Sequence, residues 1–260
     1  MPDTVLRVVR DGATARVTLQ RPDVRNAFNA ELIAELRAAF DHLGSDASVR
    51  AIVLDGAGKT FCGGADVNWM RGSLELSEAA NVADAERMSQ MYRAIDRCPK
   101  PVIGRIHGGA LGGGAGLAAV CDIVLSTPET IYGFTETKLG IIPAVISPFV
   151  IAKIGVSHAR ALFLTGERFS AQRAQAIGLV HEVLDDPALD ARLQQLIAEF
   201  ATAGPGAVVA AKDLVHRVRA ASYDESESLT AHAIARQRTS PEGQEGLRAF
   251  LERRPATWHA

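Results

Sequence analysis

Three stretches of this chain carry residues suited to chemistry on a carbonyl compound. Two are glycine-rich turns, Gly63-Gly64-Ala65-Asp66 and Leu111-Gly112-Gly113-Gly114-Ala115-Gly116. The third places Glu136 among mostly apolar neighbours, in Phe134-Thr135-Glu136-Thr137-Lys138-Leu139-Gly140-Ile141-Ile142-Pro143. Glycine lets a backbone approach a ligand closely, and a helix start presents unpaired N–H groups. Two such turns directed at one oxygen would form an oxyanion hole for a carbonyl that becomes an enolate. Either turn alone also suits simple close packing. A phosphate loop finds no support, because no GxxxxGK[ST] run occurs and the second turn does not read GxGxxG after its strand. A carboxylate in the setting of Glu136 can have a raised pKa and act as a general base or acid. The alternative is a helix N-terminal acid or a salt-bridge partner.

Positioning these stretches requires strands that end at each turn and helices that begin there. Ala51-Ile52-Val53-Leu54 precedes the first turn, and Pro101-Val102-Ile103-Gly104-Arg105-Ile106 precedes the second. Upstream, Val5–Val9 and Ala15–Leu19 flank Asp11-Gly12 and predict a β-hairpin. Asn29 is placed to cap a helix whose apolar face includes Leu32, Ile33, Leu36 and Phe40. A longer helix is predicted over about 78–97, with Pro99 and Pro101 separating it from the next strand. Leu117–Val120 continues a short helix, Ile123–Leu125 reads as a buried strand, and Ile131–Phe134 reads as another. Strands alternating with helices argue for an α/β core with mostly parallel strands. From about 147 onward the pattern is nearly all helical, with Thr202-Ala203-Gly204-Pro205-Gly206 as a hinge. This divides the chain into a core over 1–200 and a helical C-terminal section over 201–260.

Composition narrows the function classes. The 260 residues are 47% hydrophobic and 22% charged, and the net charge is -2, so no global basic field points to nucleic acid or an anionic membrane. Cys62, Cys98 and Cys121 form no CxxC pair and no disulfide framework, which fits a reducing cytoplasm. The N-terminus lacks a signal-peptide pattern, and no apolar run reaches the roughly 18 residues of a membrane span. The seven histidines include no HxxxH pair, and no metal site is expected.

Taken in order, several further runs resemble the enoyl-CoA hydratase/isomerase (crotonase) superfamily over nearly the whole chain. They are Arg25-Asn26-Ala27-Phe28, Lys59-Thr60-Phe61-Cys62-Gly63-Gly64-Ala65-Asp66, Gly109–Gly114, Cys121-Asp122, Glu136 with Leu139–Pro143, Leu164-Thr165-Gly166, Ala176–Val180 and Phe250–Pro255. The resemblance implies an α/β fold built as a spiral of ββα units, with a helical C-terminal section that serves trimerisation. It implies a homotrimer or dimer of trimers acting on an acyl-CoA thioester, with no cofactor beyond the coenzyme A of the substrate. By position it assigns the two oxyanion N–H groups to Ala65 and Gly113 and the proton-handling carboxylate to Glu136. Asp66, Val67 and Asn68 would line the CoA-binding turn with Ala65, and Arg25 and Ala27 would form a rim over the adenine and phosphates.

Many hydratases of this superfamily carry a second glutamate where this chain has Gly116. One glutamate at face value suits a double-bond isomerase, since removing and returning a proton needs one base. The runs Phe61–Arg71 and Phe134–Phe149, however, resemble the bacterial methylglutaconyl-CoA hydratase branch, where glycine at that position is not out of place. The resemblance therefore favours an enoyl-CoA hydratase, with the isomerase as the alternative. A distal carboxylate on the substrate would call for a cation, and Arg71, Lys138, Arg87 and Arg93 are candidates, each also readable as a solvated surface charge. The predicted first helix, Glu31–His42, has no lysine and one arginine, so RNA binding of the kind known in relatives of that branch is not expected.

Other residues carry two readings. His107 precedes the second glycine turn and either faces the acyl pocket or is a structural histidine, the latter preferred. Cys62 is a small packing residue without a basic partner. Trp69 and Met70 either wall the pocket or fill core. Asp66 also suits an N-cap, and Asp122 suits a structural role. Phe250 and Arg253 either reach CoA, including that of a neighbouring subunit, or pack the tail.

Overall fold

The computed structural model describes residues 4–259. The opening hairpin pairs β1 (Leu6–Asp11) with β2 (Thr14–Leu19) in antiparallel register, Leu6 opposite Leu19, and Gly12 turns the chain at φ 55°. After a 3-10 turn at Pro22–Val24 comes α1 (Ala30–Ser45). The Asn29 side chain accepts from Leu32 N–H at 2.9 Å, and Leu32, Ile33, Leu36 and Phe40 are buried, as their spacing predicts.

Next in order are β3 (Ala51–Gly56), α2 (Val67–Ser73), α3 (Glu78–Asp96), β4 (Val102–Ile106), β5 (Gly109–Leu111), α4 (Gly113–Val120), β6 (Ile123–Ser126) and β7 (Ile131–Gly133). A 3-10 turn at Glu136–Leu139 leads to α5 (Ser147–Thr165), which breaks helical geometry at Gly155. The remainder is β8 (Arg168–Ser170), α6 (Ala171–Ala176), β9 (Glu182–Val183), α7 (Asp186–Thr202), α8 (Pro205–Ala220), α9 (Tyr223–Thr239) and α10 (Pro241–Glu252).

The strands form a six-stranded sheet in the order β1-β2-β3-β4-β6-β9 and a three-stranded sheet in the order β5-β7-β8. Every pairing in the larger sheet beyond the hairpin is parallel. Both of its faces are covered, and side-chain alternation shows how. Ile52, Leu54, Val102, Ile106 and Val124 join the main core with α1, α3 and α4, while Val53, Ile103 and Leu125 meet Leu189, Leu193 and Leu196 of α7. Two short strands, β8 and β9, interrupt the region expected to be nearly all helical.

Beyond α7 the helices leave the core. α8 and α9 bury no side chain, and α10 buries Ala249 alone. Polar bonds hold α8 and the end of α7: Lys212 Nζ of α8 bonds Asp122 at 2.6 Å and Lys100 O at 3.1 Å, and the Arg50 guanidinium donates to the carbonyls of Phe200 (2.8 Å) and Ala203 where α7 ends. Asp122, which also accepts from Val102 N–H at 2.7 Å, thus has the structural role expected of it. Tyr223, Phe250 and Leu251 remain largely exposed.

Candidate active site

The two glycine turns are separated by about fifty residues, and the backbone joins them. Past β3 the chain runs alongside β5, with Cys62 N–H donating to Gly109 O (3.0 Å) and Leu111 N–H donating to Cys62 O (3.1 Å). β5 in turn pairs with β7, and Gly112 N–H donates to Gly133 O at 2.8 Å. One ladder thereby brings Gly64-Ala65, Gly112-Gly113 and the segment that delivers Glu136 side by side. The glycines are required by this closeness. A Cβ on Gly114 would lie 2.3 Å from Cys62 O, and Gly64, at φ 97°, would place one 3.0 Å from Leu111 O.

Ala65, Gly113 and Glu136 line a single cavity of about 340 Å³. Among the described residues, neither Ala65 N–H nor Gly113 N–H donates to a protein group. Gly113 is the first residue of α4, so its N–H has no partner within the helix. Glu136 Oε1 lies where a Cβ on Gly112 would be 3.2 Å away, beside the second turn. Its Oε2 is buried without a hydrogen-bond partner among the described residues. Burial pushes the Glu136 carboxyl above its ordinary value, against the opposing pull of its own backbone N–H. Two free backbone donors and a partly desolvated carboxylate on one cavity can stabilise an oxyanion and move a proton nearby.

The remaining wall is largely apolar, with Trp69, Met70, Met88, Leu139, Ile142 and Ile146, and carries Ser73, Asn81, Asp84 and Thr135 as its polar members. Trp69 and Met70 therefore wall the cavity, and Trp69 also packs on the core. The four cations considered for a distal carboxylate are not among the lining residues. Arg71 bonds Asn68 at 3.5 Å, Arg87 is paired with Asp84, and Lys138 and Arg93 stand outside the cavity. No Lys or Arg is among the cavity's lining residues, whereas the Asp84 carboxylate is.

The rim residues separate into two kinds. Arg25, Val67 and Asn68 are exposed beside the first turn, while Ala27 and Asp66 are buried beneath it. Asp66 caps α2, accepting from Asn68 N–H at 2.8 Å and Trp69 N–H at 3.4 Å, and pairs with Arg21 at 2.8 Å. Burial opposes its charge, but Arg21 and the two N–H donors hold the carboxyl below its ordinary value. Arg21 also donates to Ala27 O, so it links the Arg25–Phe28 run to the first turn. Asn26, fully buried, bonds Ala57 O (2.8 Å) and Thr60 O (2.7 Å) and has a structural role.

His107 bonds Gly58 O at 3.0 Å and faces Asp55, away from the cavity, as the structural reading expects. Cys62 is buried, and burial pushes its thiol up to about 12, consistent with packing. Sequence reasoning missed Arg21, Tyr92 and Ile146. The spacing Met88–Tyr92 along the predicted helix is the one local signal for the second of these.

Residues 10–260 match the family model described as enoyl-CoA hydratase/isomerase. The chain belongs to that family. It is therefore an enzyme of the enoyl-CoA hydratase/isomerase type. It is 37% identical over 221 residues to enoyl-CoA hydratase AKT6-1 of Alternaria alternata, covering 84% of this chain and 71% of that protein. Among solved structures it resembles an enoyl-CoA hydratase from Shewanella pealeana with a TM-score of 0.95 at 35% identity, covering 99% and 97% of the two chains. An enoyl-CoA hydratase/isomerase from Marinobacter aquaeolei gives 0.93 at 35% identity, covering 98% and 99%. The crotonase-type fold with a helical C-terminal part is thus established. Among the described residues no helix is long and apolar enough to cross a membrane.

Proposed function

We propose that this enzyme adds water across the 2,3 double bond of an enoyl-CoA thioester. The observation that carries the reading is the meeting of Ala65 N–H, Gly113 N–H and the unpartnered Glu136 carboxylate on one cavity. Glu136 takes a proton from water as the oxygen attacks C3, and the thioester oxygen gains charge against the two backbone donors. The same carboxyl then returns a proton to C2, giving the 3-hydroxyacyl-CoA. Arg25 and the exposed edge of Val67-Asn68 would receive the CoA moiety, with Ala27 and Asp66 holding that edge in place from below. The exposed apolar side chains of α9 and α10 would be covered in a homotrimer or dimer of trimers. The test is turnover of a 2-enoyl-CoA in ¹⁸O water. Label at C3 of the product supports hydration, and bond migration without label supports the isomerase.

That second reading has an observation of its own. A Cβ on Gly116 would lie 2.4 Å from Ile146 Cγ2 and 3.2 Å from Tyr92 Cε1, so these two side chains fill the space beside it. Asp84, the other carboxylate on the cavity, is ion-paired with Arg87. Glu136 must therefore handle both protons of a hydration alone. Gly116→Glu is expected to destabilise the fold by about 1–3 kcal/mol through overpacking, without raising hydration. Denaturant unfolding and initial rates on the same preparation check it.

The lining supports an uncharged acyl group. A terminal carboxylate, as in 3-methylglutaconyl-CoA, would enter a largely apolar lining whose polar members are the neutral Ser73, Asn81 and Thr135 and whose charged member is the like-charged Asp84. An unpaired buried charge costs several kcal/mol. We expect kcat/KM for an uncharged 2-enoyl-CoA of matched length to exceed that for 3-methylglutaconyl-CoA by at least about 10-fold. The reverse order would restore the glutaconyl branch and require a cation from outside this cavity lining.

A further inference from the structure

Both donor peptides are held from behind. A peptide unit is planar, so fixing its carbonyl fixes the direction of the N–H that follows. Gly64 O accepts from Phe28 N–H at 2.8 Å, which sets the plane carrying Ala65 N–H. Gly112 O accepts from Gly116 N–H at 3.2 Å, which sets the plane carrying Gly113 N–H. The second support is the weaker, because it is a long bond inside an eight-residue helix with glycine at 113, 114 and 116.

Tyr92 of α3 adds a support one peptide further on, at the carbonyl of Gly113, and so holds the far side of the residue whose N–H is the donor. Its hydroxyl donates to Gly113 O at 2.7 Å and has no other partner among the described residues. Its side chain is fully buried, and burial keeps the phenol neutral, so it remains a donor. The ring meets Phe28 edge to face at 6.2 Å between centroids and Phe149 at 5.9 Å. A Cβ on Gly113 would lie 2.8 Å from Tyr92 Oη and 2.9 Å from Phe28 Cε2, so both rings press on the same glycine. Phe28 thus holds one turn with its backbone and touches the other with its ring, and Tyr92 locks the contact.

We propose that Tyr92, bonded to the Gly113 carbonyl and packed with Phe28 where a side chain on Gly113 would stand, is a positioning residue that fixes the place of the Gly113 Cα, one corner of the Gly112–Gly113 peptide plane, and so the aim of the Gly113 N–H relative to that of Ala65. This rests on the reading of those two groups as the oxyanion donors. A tyrosine serving only as core filler would bond any nearby acceptor, and its hydroxyl would affect folding stability and substrate turnover in proportion.

The test is Tyr92→Phe in the full chain, which keeps the ring and removes the hydroxyl. Its readouts are kcat, KM, thermal midpoint and the infrared carbonyl stretch of bound ¹³C=O butyryl-CoA, a saturated thioester that cannot be hydrated. In the wild type the stretch should fall below its free value on binding. In the variant it should return toward the free value, with kcat lowered about 10- to 100-fold and KM within about threefold. Phe28→Leu should move the stretch in the same direction. Wild-type binding with no stretch shift would overturn the oxyanion reading itself. A wild-type shift that Tyr92→Phe and Phe28→Leu leave in place, or an unchanged kcat, would overturn the role of Tyr92 alone.

Discussion

Glu136→Gln is expected to lower the rate of hydration by about 10²–10⁴-fold, the usual contribution of a positioned general acid–base. The substitution keeps the shape of the side chain in the cavity, so KM for the thioester should change little. Two pH effects accompany the loss. A general base at position 136 would work only when ionised, and burial raises the Glu136 carboxyl above its ordinary value of 4.5. The acid limb of kcat/KM should therefore lie above the ordinary carboxylate range. Stability follows with the opposite sense. A carboxyl whose folded pKa exceeds its unfolded pKa favours folding most below the unfolded value, and that contribution is lost as pH rises through the folded value. The thermal midpoint of Glu136→Gln, relative to wild type, should rise across the same interval and stand higher at neutral pH. An inactive variant with a lowered midpoint at neutral pH would mean that the carboxylate serves the fold.

Gly113→Ala is the second large effect expected, and it reaches the oxyanion through packing. The added methyl would meet Tyr92 Oη at 2.8 Å and Phe28 Cε2 at 2.9 Å, both on fully buried side chains. Neither ring can retreat without disturbing the core, so the Gly113 backbone must give. Misdirecting one oxyanion donor costs about 2.7–4 kcal/mol of transition-state stabilisation, or 10²–10³ in kcat. Overpacking should remove a further about 1–3 kcal/mol of folding stability. Gly72→Ala makes the comparison, since a Cβ there meets nothing within 4 Å. It should leave kcat unchanged and, in the exposed last turn of α2, change stability by less than about 1 kcal/mol. Steady-state rates and unfolding midpoints of both variants decide the matter.

What could be read without coordinates was the chemistry that sits in one place along the chain. The two glycine turns and Glu136 carry local signatures, a glycine run after a strand or an acid among apolar neighbours; the resemblance singled out Ala65 and Gly113 within those turns, and all three residues line one cavity. The covered sheet was legible for the same reason, because apolar runs such as Ala51–Leu54 are buried on both faces. The supports were not legible. Arg21 reaches Asp66 across 45 positions, and Tyr92 reaches Gly113 across 21. No local period encodes such a meeting. β8 and β9, three and two residues long, are too short to show strand alternation within a helical stretch. The cations near the pocket were nameable, but whether Arg87 faces a substrate or Asp84 depends on how α3 is turned.

The filling of the space beside Gly116 by Ile146 has a consequence for how this site can change over generations. A lineage that gained a carboxylate at 116 first would carry a clash with a buried side chain, and one that first trimmed Ile146 would carry a cavity beside Tyr92. Each step alone is expected to lower stability, and trimming Ile146 would relieve the nearer of the two contacts that a side chain at 116 meets. Gly116 and Ile146 are therefore expected to couple non-additively, so that leaving the one-carboxylate arrangement takes two coordinated substitutions.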